Sequence, residues 1–310
     1  MSKWAVFFPG QGAQAVGMGK ELYDRFDEVK DLYRQANQLL GFDLTALCFE
    51  GPAAELTKTE RCQLALFVTS LAGYAALEKI TGGRKPDMAA GLSLGELSAL
   101  AAAGVFRFKD GVYLVQARSE AMADCAAHHP GAMLAIIGIS YEAVQDMCKE
   151  TGATSANYNA ADQLVVSGTV ESIGKAEAQA KAMGAKRAIR LEVSGAFHSS
   201  LMQPAADRFR QALEKIPFSK PQFPVYSNVN ADTTADPEAI RRLLVQQIVS
   251  PVLWDPSVRK ISQAGATHVI EMPPARVLTA LTRRINADLK TLAVNEPKDL
   301  DPVGTFLLAG

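Results

Sequence analysis

The sequence holds little with which to bind a metal or cross-link itself. In 310 residues there are four cysteines (Cys48, Cys62, Cys125, Cys148) and four histidines (His128, His129, His198, His268). The cysteines are widely spaced with no CxxC pair, which disfavours a zinc site and a disulfide framework and fits a reducing compartment. No two histidines stand at the i, i+4 spacing of a helical metal site, so no metal is expected. Excess charge of either sign is also missing. Thirty-two Lys and Arg against thirty-three Asp and Glu leave a net charge of −1, and nothing global points to nucleic acid or an anionic membrane. Long hydrophobic runs are absent too. The apolar stretch in "MSKWAVFFPGQGAQ" stops at Pro9-Gly10, too short for a secretory segment. The longest helical run, "LALFVTSLAGYAAL" at 64–77, carries Thr, Ser, Gly and Tyr and falls short of a membrane span. A soluble, cytoplasmic, monomeric protein is expected.

What is present is an ordinary globular composition, 48% hydrophobic and 21% charged, enough for a sizeable core. "KWAVFFPG" reads as a buried strand, followed by helical periodicity over 19–40, a core helix near 61–80, the strand "DMAAG", and helices from Leu94 and over 109–127. Such alternation implies a mostly parallel sheet with helices on its faces. After "AAHHPG" the pattern changes to strand, helix, strand, strand, helix, strand, ending in "KRAIRLEV". That βαββαβ order is the split βαβ, ferredoxin-like unit. Alternation then resumes: helix 199–215, strand 223–228, helices 236–249 and 255–264, strand "THVIEM", a further helix and strand "KTLAV". The expected architecture is an α/β-hydrolase-like core with a parallel sheet, residues 1–127 and 196–310, interrupted by a small ferredoxin-like α+β subdomain at 128–195.

Gly91-Leu92-Ser93-Leu94-Gly95 fits G-x-S-x-G between a strand and a helix. A strand turning at once into a helix strains the corner residue, and small residues two places either side relieve the crowding. The serine would be exposed beside the positive end of the helix; a plain helix N-cap is the alternative. A serine needs a base. His198, in "SGAFHSS" where the insert rejoins the main domain, is favoured because pockets form at such boundaries. His128 and His129 lie in a polar loop, and His268 opens an apolar strand, where a core histidine is expected. No acid between Ser93 and His198 is marked as an orienting partner; Asp110 and Asp124 are available, and an amide or backbone carbonyl would serve equally. "PGQGAQA" at 9–15 satisfies a loose dinucleotide fingerprint, but the region about 20 residues on is helical rather than a strand with a terminal acid. Gly19-Lys20-Glu21 fails as a phosphate loop. Arg118, in "VQARSEAM", lies on the second helix after Ser93, where an inward orientation is open to it.

Together these residues resemble the malonyl-CoA:acyl carrier protein transacylase family. The matching stretches are "FFPGQGAQAVGMG", "GLSLGE", "QARSEAM", "NYN", "GAFHSSLM", "SNV" and "QQIVSPVLW", in the family's order over nearly the whole chain. The resemblance implies malonyl transfer from malonyl-CoA to the phosphopantetheine thiol of an acyl carrier protein for fatty acid synthesis, ping-pong through an O-malonyl-serine and with no cofactor; an acyltransferase serving a polyketide pathway, or a serine thioesterase or hydrolase, is the alternative. It implies Ser93 as nucleophile, His198 as base, Gln247 as the residue whose carbonyl orients His198, and Gln11 with the Leu94 backbone N–H as oxyanion donors. Arg118 is implied as the clamp on the malonyl carboxylate, Gln63 and Asn159 as pocket amides, and Met122 and Phe197 as residues shaping the acyl pocket. Phe197 goes with malonyl rather than α-branched units. Two departures stand out: Leu92 where the family more often has histidine, and Met272-Pro273-Pro274-Ala275-Arg276 where it has a glycine-rich turn.

Overall fold

In a computed structural model describing residues 3–193 and 195–308, the strand at the start of the chain lies at the centre of the molecule. Nine strands are seen among these residues: β1 (Lys3–Phe8), β2 (Met88–Gly91), β3 (Ala132–Ile137), β4 (Thr154–Ala160), β5 (Gln163–Gly168), β6 (Arg187–Arg190), β7 (Val225–Tyr226), β8 (Ala266–Glu271) and β9 (Lys290–Ala293). After Lys3, every residue of β1 is buried, as a strand covered on both faces requires. The strands β7-β2-β1-β8-β9 form one sheet in that order, and each neighbouring pair is parallel. The helix Thr59–Ile80 is buried nearly all round and packs with the helix Phe108–His128 on one side of this sheet, through Phe67 stacked on Phe108.

The chain between β3 and β6 makes a second sheet, order β4-β5-β3-β6, in which all pairs are antiparallel. The helices Tyr141–Thr151 and Val170–Ala182 cover it over a core of their own, including Leu134, Ile136, Val144, Leu164, Val166 and Ile173. The antiparallel sheet is tied at β4 to the segment that follows the helix Pro237–Gln247: Tyr158 N–H donates to Val252 O at 2.9 Å and Val252 N–H to Ala156 O at 2.8 Å.

Several elements differ from the sequence expectation. The helix read over 19–40 is two, Lys20–Arg25 and Asp27–Leu40, because Phe26 takes an extended backbone and buries its ring. The helix read over 199–215 opens as a 3₁₀ turn, Ser200–Met202, and runs as α-helix only over Gln203–Leu213. The strand read over 223–228 contracts to Val225–Tyr226, because Ser227 and Asn228 turn inward. The helices Leu44–Glu50, Ala53–Thr57 and Val303–Leu308 were not expected; runs of two turns or fewer show too little periodicity to be seen. Ser194, in the quoted "SGAFHSS", lies outside the described residues. No helix among the described residues is long and apolar enough to cross a membrane.

Candidate active site

β2 ends at Gly91, and the helix Leu94–Ala102 begins two residues after Leu92. Ser93 at the corner has φ 53° and ψ −103°, a backbone conformation that L residues avoid and that the surroundings must hold in place. The flanking glycines are needed for contact. A Cβ on Gly91 would lie 1.9 Å from Gly95 C, and one on Gly95 would lie 2.0 Å from Phe8 O. The turn after β1 closes on the same corner, since a Cβ on Gly10 would meet Leu92 O at 2.3 Å. That close approach brings Gln11 to the site, and the Leu94 N–H opens the helix, where N–H groups lack intrahelical partners.

Ser93 Oγ lies 2.9 Å from His198 Nε2. His198 is 4% exposed, and its Nδ1 is 2.8 Å from Gln247 O. Gln247 is the last residue of the helix Pro237–Gln247, so its carbonyl is one of the unpaired acceptors at a helix C-terminus. Nδ1–H donates to that carbonyl, which leaves Nε2 bare to accept the Ser93 hydroxyl proton. Burial pushes the imidazole down to about 4, and the Arg118 charge adds to this; backbone carbonyl contacts at Gln247 and Ser250 oppose it. His198 is therefore a neutral imidazole at pH 7. The two candidate acids are occupied elsewhere, Asp110 with Arg107 and Asp124 with Arg208. His128 is exposed, and His268 is fully buried in β8 beside Thr267 Oγ1 and Phe306.

Arg118 is 1% exposed. Its guanidinium donates to Gln63 Oε1 at 2.6 Å, Gln247 Oε1 at 2.8 Å and Ser93 Oγ at 3.0 Å. All three acceptors are neutral, and Nε has no partner among the described residues. Burial draws the guanidinium down to about 10, against the pull of Glu96, so it stays charged at neutral pH. A buried cation held by neutral oxygens is costly unless an anion joins it. A cavity of about 340 Å³ opens in front of these groups. Gln11, Leu92, Ser93, Leu94, Gln63, Arg118, Met122, Phe197 and His198 line it, together with Met133 and Asn157 of the antiparallel sheet and Leu191 and Val193 just past β6. A larger cavity of about 400 Å³, between the helices Gln203–Leu213 and Pro237–Gln247, holds no nucleophile.

The structure thus gathers Ser93, His198, Gln247, Arg118, Gln63, Gln11, Leu94, Met122 and Phe197. It does not bring Asn159 to the cavity. The amide there is Asn157, because register irregularities in β4 between Ser155 and Asn157 and again between Tyr158 and Ala160 break simple alternation. Two residues carried no role in the sequence reading: Asn228, within the quoted "SNV", and Glu96, within "GLSLGE". A lone acid on the apolar helix "LGELSALAA" was the available signal for Glu96. It is 3% exposed, accepts from Gln247 Nε2 at 2.6 Å and Asn228 N at 3.2 Å, and burial raises its carboxyl to about 7. Among the described residues no group of three or more His, Cys, Asp or Glu is placed to hold a metal ion.

The acyl transferase domain family matches residues 6–300. A malonyl CoA-acyl carrier protein transacylase of Bacillus subtilis (strain 168) is 45% identical over 307 residues, covering 97% of this chain and 96% of the relative. The Escherichia coli (strain K12) protein of the same name is 42% identical over 301 residues, 96% and 97% of the two chains. The chain belongs to the malonyl CoA-acyl carrier protein transacylase family. Solved relatives share the fold of this acyl transferase throughout. The acyl carrier protein S-malonyltransferase of Vibrio cholerae superposes with TM-score 0.94 at 40% identity, over 97% of this chain and all of that one. A malonyl-transacylase in complex with a type II PKS acyl-carrier protein superposes with TM-score 0.95 at 40% identity, over the whole of both chains. The fold the relatives share with this acyl transferase is mixed α/β with a parallel sheet.

Proposed function

We propose that the cavity transfers a malonyl group from malonyl-CoA to the phosphopantetheine thiol of an acyl carrier protein. One observation carries the reading: a single oxygen, Ser93 Oγ, lies within hydrogen-bond distance of both a neutral imidazole and a buried guanidinium. The first is what a nucleophile needs; the second is what the free carboxylate of malonate needs.

In the first half-reaction His198 Nε2 takes the Ser93 proton as Oγ attacks the thioester carbonyl. The Leu94 N–H and Gln11 hold the oxyanion, and loss of one such donor typically costs about 10²–10³ in rate. The imidazolium formed sits at the C-terminus of the helix Pro237–Gln247, where its charge is favoured. The carbon–sulfur bond breaks, the His198 proton passes to the leaving sulfur, and CoA thiol departs. The carrier thiol then gives its proton to His198, attacks the O-malonyl ester and regenerates Ser93. Arg118 turns from Ser93 Oγ to the malonyl carboxylate bidentately and keeps Gln63 as the partner that steadies it. Met122 and Phe197 bound the acyl chain; Phe197 fills the room an α-methyl branch needs. Asn157, rather than Asn159, supplies the amide on the opposite wall.

We read the chain as two subdomains, an α/β-hydrolase-like one at 1–127 and 196–310 and a ferredoxin-like one at 128–195; the β4-β5-β3-β6 order with two covering helices supports the second. We place it in the cytoplasm as a monomer, serving fatty acid synthesis and needing no cofactor besides its substrates.

The test is intact mass after incubation with malonyl-CoA. A malonyl adduct on Ser93 that persists until carrier thiol is added supports transfer. Rapid loss to water makes the protein a hydrolase, and no adduct sinks both enzyme readings. Ser93→Ala removes the adduct; malonyl transfer surviving that change overturns the nucleophile assignment.

A further inference from the structure

Asn228 makes no contact with the cavity, yet it grips the corner on which the chemistry turns. It follows the two-residue strand β7 and is fully buried. Its Oδ1 accepts from Ser93 N–H at 2.7 Å, and its Nδ2 donates to Gly91 O at 2.7 Å. Its own main chain is anchored on both sides: N–H donates to Glu96 Oε2 at 3.2 Å, and C=O accepts from Leu253 N–H at 2.8 Å. The amide is thus a staple across the elbow, joining the last residue of β2 to the corner residue itself. On the far side of the corner, Ser93 O accepts from Gln247 Nε2 at 3.0 Å.

We propose that Asn228 is a positioning residue for the nucleophile, holding Ser93 in its left-handed backbone so that Oγ meets His198 and Arg118 together. The proposal rests on the reading of Ser93 as nucleophile. A residue at φ 53° and ψ −103° stays there only if its surroundings over-determine it. Asn is suited to this because one side chain offers an acceptor and a donor in a fixed plane, matching one N–H and one C=O. Aspartate keeps the shape and the acceptor but turns an oxygen on Gly91 O; alanine leaves both main-chain groups buried without partners. Either change lets the corner relax and swings Oγ off its 2.9 Å and 3.0 Å contacts. Arg118 keeps its Gln63 and Gln247 partners, so recognition of the carboxylate is spared.

The test compares wild type, Asn228→Asp and Asn228→Ala, each held below its unfolding transition as measured by circular dichroism. Two rates are read: labelling of Ser93 by a small fluorophosphonate, followed by intact mass, and steady-state malonyl transfer. The expected result is a fall of about 10- to 100-fold in labelling and in kcat, the scale on which small misplacements act. KM for malonyl-CoA stays unchanged. Should Asn228→Ala not fold, Asn228→Asp decides. Labelling and kcat at wild-type levels overturn the proposal, as does a loss that tracks the drop in Tm and disappears on cooling. If wild type takes no malonyl from malonyl-CoA while fluorophosphonate labelling still falls in the variants, the substrate reading fails and the positioning role stands.

Discussion

The same burial leaves Arg118 and His198 in different charge states because their basicities differ. Arg118 loses some basicity yet stays charged, about 10, whereas His198 falls to about 4 and is neutral. The pH dependence follows. Acylation of Ser93, measured by quench-flow, should be flat from neutral pH down to about pH 5 and fall below it as Nε2 takes up a proton. An inflection near 6.5 would show a solvated imidazole instead. Arg118→Ala removes the cation that a carboxylate requires, and sites built round a polar partner reject analogues lacking it by about 10⁴ or more. Malonyl transfer should therefore drop far more than acetyl transfer when both are assayed with the variant; equal losses would show that Arg118 does not hold the carboxylate. These two side chains differed in legibility. His198 could be singled out among four histidines by its place at the junction, while Arg118 was one helical arginine among many until the family resemblance placed it.

Among the elements, the elbow depends on how closely three main chains approach: β1, β2 and the helix Leu94–Ala102. Gly95→Ala puts a methyl group 2.0 Å from Phe8 O, and Gly91→Ala puts one 1.9 Å from Gly95 C. Main chain cannot yield as a side chain tip can, so each variant should lose about 1–3 kcal/mol. Thermal unfolding would register this as a fall in Tm, and Ser93 acylation should slow with it. An unchanged Tm would mean that helix and strand can separate without cost. The strand-turn-helix order was legible because apolar run, small residues and helical periodicity all adjoin in sequence. The register of β4 was not, since its irregularities depend on pairing with β5; the resemblance points to Asn159, whereas the amide of β4 that lines the cavity is Asn157. The break at Phe26 was hidden for a like reason: its ring is drawn into a core made by distant residues.

For the whole molecule, the site draws its lining from beside both sheets, and two buried ionisable groups there have opposite pH linkage. Glu96 is raised from 4.5 to about 7 by burial. The folded chain holds that proton more tightly, so its contribution is full below pH 4.5 and is lost as pH rises through 7. His198 is lowered from 6.5 to about 4; its contribution is present above pH 6.5 and is lost as pH falls towards 4. Glu96→Gln removes only the first effect. The Tm of the variant relative to wild type should thus rise between pH 5 and pH 8, by a free energy on the order of 3 kcal/mol at most. A difference that does not change with pH would show that Glu96 titrates as an exposed carboxyl does.

The sequence by itself determined most of the longer elements and the chemistry their residues can carry. Apolar runs, glycine spacing and helical periodicity are local properties, and they placed Ser93 at a corner and the parallel and antiparallel strand patterns in order. Which side chains meet was decided only in three dimensions. His198 is oriented by a helix-end carbonyl rather than by an acid, because the orphan acceptor of Gln247 arrives there and Asp110 and Asp124 do not. Asn228 and Glu96 became part of the site for the same reason. Contacts across 135 and 151 residues of chain, from Ser93 to Asn228 and from Glu96 to Gln247, arise from packing, and no local pattern in the sequence encodes them.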